Sequence, residues 1–132
     1  MKLLDINGKE VRIQIRQSDY PMREVSRSNI QHEVGQKLQE MFPHETILEE
    51  FPIPGSRMTL DYFMPRLMIA VEVDGEAHDH YIPFFHGQMS DKKFTKQVKN
   101  DMSKNKWCEI NGIKLVRITK KSDLSKDGWI KN

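Results

Sequence analysis

Two consecutive apolar runs with a short turn between them constrain the fold of this 132-residue chain more than any other feature. Residues 58–64 and 67–74 each have the length and residue types of a β-strand, and Pro65-Arg66 predicts a tight turn between them. The apolar residues Phe63, Ile69 and Val71 in these runs are typical of central strands rather than edge strands. Other elements of the chain, most simply helices, are then expected to pack on the faces of a sheet.

The residues on either side of these runs predict a hairpin and further helices and strands. Asn7-Gly8 lies between two short apolar runs, and Asn-Gly is the preferred two-residue hairpin turn. Ser28 is a candidate N-cap for a helix whose apolar residues follow at helical spacing until Pro43. Three more elements are predicted, namely a strand at 46–53, a helix at about 90–106 and a strand at 113–119.

Strand and helix patterns alternate along the chain, which predicts an α/β (α+β) fold with a mixed central sheet flanked by helices. We expect one domain in three parts. These are an N-terminal β-hairpin with its connecting loop at 1–27, a core at 28–119 and a polar C-terminal tail at 120–132.

The composition excludes several classes of protein. Hydrophobic residues make up 37% and charged residues 30% of the chain, with a formal net charge of +2, which indicates a globular domain rather than a disordered or membrane-spanning chain. The single cysteine, Cys108, excludes an internal disulfide and a cysteine-rich zinc site. No segment resembles a signal peptide, so we expect a cytoplasmic protein without a membrane partner.

Three carboxylates are predicted to lie close together on the two central strands. Alternate residues of a strand share a face, so Glu72 and Asp74 point to the same side of the second strand. Asp61 interrupts the first strand. A turn centred on Arg66-Leu67 places Asp61 opposite Glu72, and a turn one residue earlier places it opposite Ala70. Both registers put Asp61 on the Glu72 face.

These carboxylates predict a site for a hard divalent cation. Like charges on directly opposed residues are destabilising unless a positive group neutralises them. Mg²⁺, or Mn²⁺ in its place, binds well to one or two carboxylates together with several waters. The alternative is a set of solvated carboxylates on an exposed sheet face, and the apolar flanks of both strands argue against it.

The second predicted helix carries three kinds of residue. Phe94, Val98 and Met102 lie on an apolar side, and a polar stripe that contains Asp101 and Lys104 borders it. Such a stripe can lean over a site on the sheet. The outer side carries four lysines that either contact a nucleic-acid backbone or simply face solvent: Lys92, Lys96, Lys99 and Lys106.

The loop after the second central strand contains three histidines, at positions 78, 80 and 86. A zinc site is one interpretation, but the chain offers a single thiol as a partner. The other interpretation is one histidine that acts as a general acid or base beside the carboxylates, and His78 follows them most closely.

The run LDYFMPRLMIAVEVDGEAH, followed by DKKFTKQVKNDMSKNKWCEINGIKLVRI, resembles the PD-(D/E)XK nuclease superfamily. More narrowly, it is similar to the very-short-patch-repair (Vsr)-like branch and to related phage homing endonucleases. The resemblance covers about residues 28–119. It implies a restriction-endonuclease-like core and a Mg²⁺-dependent endonuclease that hydrolyses phosphodiester bonds in DNA, in phage homing or in recombination and repair.

The resemblance also implies a set of site residues. Asp61, Glu72 and Asp74 match the acidic positions that bind metal in the family, and Gly75 and His78 complete the same element. Further matched positions are Glu33 on the first helix, Asp101 and Lys104 on the second helix, and the last strand at 113–117.

One position departs from the family pattern. Asp74 stands where the superfamily has the lysine of its Glu-x-Lys element, so the role of that lysine passes to His78 or Lys104. Two other roles stay open at this point. Glu33 either orients a metal-bound water or is an ordinary surface residue, and Asp101 either orients His78 or pairs with Lys104.

Other functions remain as alternatives. The chain is then a non-catalytic nucleic-acid-binding module that keeps the nuclease fold, a small interaction protein with a structural cation, or a nuclease that acts on RNA. The expected partner is duplex DNA, and one site per chain nicks one strand, so simultaneous cleavage of both strands needs a homodimer. Residues 33–79 carry ten acidic and three basic residues, whereas residues 80–132 carry twelve basic and five acidic ones. The acidic half is therefore suited to binding a cation, and the basic half is suited to binding a polyanion.

Overall fold

The computed structural model describes residues 1–23, 26, 29–73 and 102–118. The described chain contains six strands, one short 3₁₀ helix and two α-helical segments. In chain order these are β1 (Lys2–Leu4), β2 (Glu10–Arg12), the 3₁₀ helix Gln17–Asp19, α1 (Asn29–Met41), β3 (Leu48–Pro52), β4 (Thr59–Met64), β5 (Ile69–Val73), a helical segment at 102–110 and β6 (Lys114–Ile118).

A mixed four-stranded sheet lies at the centre of the fold, with the strand order β3-β4-β5-β6. The β3–β4 and β4–β5 pairs are antiparallel, and β6 pairs with β5 in parallel. A parallel pair needs a crossover connection, and the helical segment 102–110 lies within it. The predicted mixed sheet is confirmed, and β4 and β5 are its two central strands.

The two faces of the sheet are covered by different helices. On one face, Val34 and Leu38 of α1 pack in a cluster with Tyr62 and Val71. On the other face, Trp107 and its neighbour Cys108 pack in a second cluster with residues of β4 and β5. Alternation explains this division at the neighbours Tyr62–Phe63 and Ala70–Val71, because neighbouring residues of a strand point to opposite faces.

The helical segment 102–110 differs from the prediction at its end and in its packed side. Helix extends four residues past the predicted end at Lys106 because Trp107 and Cys108 are fully buried against the sheet. Met102 was assigned to the apolar side, but 64% of its surface is exposed. Residues 90–101, which include Phe94 and Val98, lie outside the described residues.

The N-terminal strands form the predicted hairpin, but the turn is longer than two residues. Leu3 pairs with Val11, and the Asp5 N–H donates to the Lys9 carbonyl at 2.7 Å. Three residues therefore make the turn, and Gly8 takes the left-handed conformation there with φ +86°. The Asp5 side chain favours this longer turn because it accepts the Asn7 N–H at 2.8 Å and the Lys9 N–H at 2.9 Å.

Hydrogen bonds connect the hairpin to the end of the 102–110 helix. The Trp107 indole N–H and the Asn111 side-chain amide both donate to the Leu4 carbonyl, at 2.7 and 3.1 Å. The Leu4 N–H donates back to Asn111 Oδ1 at 2.7 Å. Asn111 thus pairs with Leu4 much as a neighbouring strand would, and the buried side chain of Leu3 joins the core on the same face as Trp107.

Gly35 allows α1 to approach β4 closely, and this gives a first testable prediction. A Cβ atom at this position would overlap the Tyr62 hydroxyl and lie 3.0 Å from Met22 Cε. Because Tyr62 is fully buried and donates to the Gln31 carbonyl at 2.8 Å, its ring has little freedom to move. We expect Gly35→Ala to lower the free energy of unfolding by about 1–3 kcal/mol, despite the higher helix propensity of alanine.

Urea unfolding measures this effect, and Gln36→Ala on the exposed side of α1 is the matched control, expected within about 0.5 kcal/mol of wild type. Combining Gly35→Ala with Tyr62→Phe removes the overlapping hydroxyl. The double variant should lose less than the sum of the two single losses. Simple additivity would mean that the hydroxyl does not set the helix-to-sheet distance.

Candidate functional site

The two central strands separate at one end, and Asp61 and Glu72 lie at this fork. The β4–β5 ladder pairs Met64 with Ile69 and ends at the pair Tyr62 and Val71, although both strands continue. Beyond that point, β4 pairs only with β3 and β5 only with β6. The next pair of this register is Asp61 and Glu72, so the first of the two registers considered above is confirmed.

The turn between β4 and β5 explains this register. It spans residues 65–68 instead of the predicted tight turn at Pro65-Arg66. Met68 closes it in the left-handed conformation with φ +55°, and its carbonyl accepts the Lys114 N–H at 2.9 Å. The start of β6 therefore holds the longer turn, and this contact was not visible from the local sequence.

At the fork, side-chain oxygens replace the missing backbone partners. The Asp61 N–H donates to Glu72 Oε2 at 2.9 Å, and the Val73 N–H donates to Asp61 Oδ2 at 2.7 Å. Each carboxylate thus accepts a backbone N–H from the neighbouring strand. These two bonds hold both side chains in the gap between the strands.

Lys104 reaches this pair from the 102–110 helix. Its ammonium donates to Glu72 Oε1 in a close ion pair, and the two side chains are 18% and 4% exposed. Lys104 lies one helical turn before Trp107 and Cys108, on the side of the helix that packs against the sheet. The prediction placed Lys104 on a stripe beside the sheet, and its side chain lies at the carboxylates.

The charges and burial of the Asp61–Glu72 pair favour binding either of one proton or of one added cation. Burial, followed by the negative charge of Glu72, raises the pKa of Asp61 to about 8. The Val73 N–H and the Lys104 ammonium act in the opposite direction but do not offset it. Near neutral pH Asp61 is therefore largely protonated, and Lys104 balances the single charge of Glu72.

The raised pKa of Asp61 predicts how stability depends on pH. Between the ordinary value of 3.8 and about 8, the folded protein binds a proton at Asp61 that the unfolded chain has released. The Asp61 contribution to folding is therefore fully present below pH 3.8 and falls as the pH rises to about 8.

Urea unfolding in a metal chelator at pH 5 and at pH 8 tests this, with Asp61→Asn as the variant that cannot titrate. We expect the unfolding free energy of wild type, relative to the variant, to be smaller at pH 8. A difference that stays constant between the two pH values would contradict the assigned protonation.

Two adjacent glutamates on β3, Glu49 and Glu50, lie next to Tyr62 and Asp61 in the β3–β4 register and are not among the predicted site residues. Glu50 takes the register position across from Asp61, but its φ of +56° interrupts the ladder there, between the pairs Glu49–Tyr62 and Phe51–Leu60. The Glu50 carboxylate accepts the Thr59 hydroxyl at 3.1 Å and the Gln31 amide at 3.2 Å. The sequence signal for these residues is a pair of adjacent glutamates in an otherwise apolar strand.

The other described site residues lie apart from the pair. Glu33 is on α1, which covers the sheet face opposite to the 102–110 helix, and it is partly buried. Lys106 is exposed on the outer side of its helix. The remaining predicted residues lie outside the described part of the chain, namely Asp74, His78, Asp101, Lys92, Lys96 and Lys99.

Two further observations limit the chemistry of the described residues. Within 1–23, 26, 29–73 and 102–118, no three His, Cys, Asp or Glu side chains are grouped so that they could hold a metal ion. Burial raises the pKa of the Cys108 thiol to about 12, so this cysteine is not a thiolate nucleophile at neutral pH. In the same part of the chain, no helix has the length and apolarity required to span a membrane.

Two viral proteins are similar to part of this chain. It is 29% identical over 77 residues to "Uncharacterized protein 033L" of Invertebrate iridescent virus 3, a match that covers 58% of this chain and 39% of that protein. It is 30% identical over 61 residues to "Uncharacterized protein 307L" of Invertebrate iridescent virus 6, over 46% of this chain and 30% of that protein. No family model matches the chain, and no solved structure matches it significantly.

Proposed function

We propose that this protein is a Mg²⁺-dependent endonuclease with a restriction-endonuclease-like core that hydrolyses phosphodiester bonds in DNA. One observation carries the proposal. Asp61 and Glu72 lie opposite each other at the fork of β4 and β5, and a lysine ammonium binds the same carboxylate pair. Paired carboxylates beside a cation are the groups that metal-assisted phosphoryl chemistry requires.

The order of elements supports the core that we propose. A helix precedes three antiparallel strands, a second helical segment follows, and the last strand pairs in parallel with the third strand of that set. The two helices cover opposite faces of the sheet. This arrangement agrees with the resemblance of residues 28–119 to the PD-(D/E)XK superfamily.

The residues at the fork fit a divalent cation in their chemistry. Mg²⁺ typically takes one or two carboxylates and keeps several waters, so Asp61 and Glu72 are sufficient protein ligands, with Asp74 as a third in our proposal. The raised pKa of Asp61 supports this fit, because burial and the negative charge of Glu72 both disfavour the charged carboxylate, and an added cation would favour it. A bound Mg²⁺ would supply an activated water and polarise the phosphate.

In this proposal, individual residues of the chain have the following roles in binding and catalysis. Asp61 and Glu72 hold the cation, and the backbone N–H groups of Asp61 and Val73 keep their carboxylates in place. The Lys104 ammonium stabilises the charge that develops on the phosphate, in the role of the lysine that Asp74 replaces. We assign proton transfer to His78 and contact with the DNA backbone to Lys92, Lys96, Lys99 and Lys106.

Incubation of the purified protein with supercoiled plasmid tests the proposal. We expect nicked plasmid in the presence of Mg²⁺ or Mn²⁺ and none in a chelator. A single-stranded RNA and a duplex RNA of matched length run in parallel and separate a DNA nuclease from an RNA nuclease.

A protein that leaves all substrates intact in every metal, yet retards DNA in a gel, would be a binding module, and the proposed activity would be rejected. The ratio of linear to nicked product at increasing protein concentration shows whether two copies act together on both strands.

A further inference from the structure

We propose that Lys104 is the resident counter-ion of the Asp61–Glu72 pair and that a divalent cation binds there by displacing the Lys104 ammonium from Glu72. This proposal rests on the proposed function in one respect, namely that Asp61 and Glu72 bind the metal. What it adds is that the Lys104 ammonium and the divalent ion replace each other on Glu72.

Both oxygens of Glu72 already have a donor within the protein. Oε2 accepts the Asp61 N–H at 2.9 Å, and Oε1 accepts the Lys104 ammonium. The backbone N–H is fixed by its strand, so it cannot leave, whereas the ammonium stands at the end of a flexible four-carbon side chain. A cation that coordinates Glu72 therefore takes the place of the ammonium rather than that of the N–H.

The positive charges of the Lys104 ammonium and the divalent ion also favour replacement of one by the other over simultaneous binding to Glu72. A divalent ion and an ammonium on the same carboxylate would lie a few ångströms apart and repel each other, with little water between them to screen the repulsion. The Lys104 side chain is 18% exposed, so its ammonium has a path towards solvent when a cation takes its place on Glu72. The ammonium released in this way is free to bind a phosphate oxygen next to the metal.

The exchange predicts that removing Lys104 tightens metal binding, although the same residue assists cleavage. Calorimetric titration of MgCl₂ into the full-length protein measures the affinity. We expect Lys104→Met to bind Mg²⁺ about tenfold more tightly than wild type, which corresponds to about 1.4 kcal/mol. Lys106→Met is the matched control. It removes the same charge two residues along on the exposed side of the helix, and we expect its affinity within about twofold of wild type.

A second variant and a thermal readout keep the test independent of cleavage. Lys104→Arg retains the charge at Glu72, so we expect it to bind Mg²⁺ no more tightly than wild type. Without metal, Lys104→Met leaves Glu72 without its ion-pair partner, so Mg²⁺ should raise its melting temperature more than that of wild type. Equal affinities of wild type and Lys104→Met would overturn the exchange alone. Absence of Mg²⁺ binding in every variant would overturn the exchange together with the metal-dependent function.

Discussion

If the proposed function holds, we expect Glu72→Gln to lower the rate of Mg²⁺-dependent plasmid nicking by about 10³-fold or more. The substitution keeps the size of the side chain but removes the negative charge that would hold the cation and that pairs with Lys104. Metal ions typically contribute several kcal/mol of transition-state stabilisation, and each 1.36 kcal/mol is about tenfold in rate. Initial nicking rates at saturating Mg²⁺ measure the loss.

Glu109→Gln on the exposed side of the 102–110 helix is the matched control, because it removes the same charge without touching the fork. We expect it to cleave at the wild-type rate. Circular dichroism shows whether Glu72→Gln still folds. Wild-type nicking by a folded Glu72→Gln protein would show that this carboxylate does not hold the catalytic metal, and the proposed site would have to be abandoned.

The largest loss of stability is expected from Trp107→Ala, at about 3–5 kcal/mol. Trp107 is fully buried beneath the N-terminal hairpin, and its indole N–H donates to the Leu4 carbonyl at 2.7 Å. Removing the ring leaves a cavity in the core and loosens the helix that carries Lys104. The free energy of unfolding in urea, at constant pH and without metal, measures the effect.

Two further substitutions separate packing from hydrogen bonding at this position. Trp107→Phe keeps most of the buried volume but loses the bond to Leu4, so we expect a loss of about 1–2 kcal/mol for the hydrogen bond. Met102→Ala lies on the same helix with 64% of its surface exposed, and we expect a change of at most about 0.5 kcal/mol. If Trp107→Ala cost no more than Met102→Ala, the hairpin would not be fastened through this ring.

The apolar patterns of the sequence predict the strands well because burial sets both the pattern and the structure. The four sheet strands lie within their predicted ranges, and the sheet is mixed as expected. The shared face of Asp61 and Glu72 also follows from strand alternation, since both registers considered put them on one side of the sheet. The choice between those registers depends on Met68 and on its contact with β6, which is distant in sequence.

The separation of β4 from β5 has no local signature. A strand pattern reports which side chains are buried and does not report where a ladder ends. The partner of Lys104 is likewise not predictable from a local pattern, because helical spacing places this residue beside the sheet without identifying Glu72 as its partner. The packed side of its helix was misjudged at Met102, since the buried pair Trp107–Cys108 lies beyond the predicted end.

The contact between Leu4 and Asn111 has a consequence for how the protein is made. Its two partners are 107 residues apart in the chain, and the hairpin depends on them for its place in the core. During synthesis the N-terminal strands leave the ribosome long before position 111 exists, so they wait without the part of their docking surface that Trp107 and Asn111 supply. Closing so long a loop is a late and slow event. The cover over Leu3 is therefore completed only after most of the described chain has been translated, and until then the nascent chain is more open to chaperones and to misfolding.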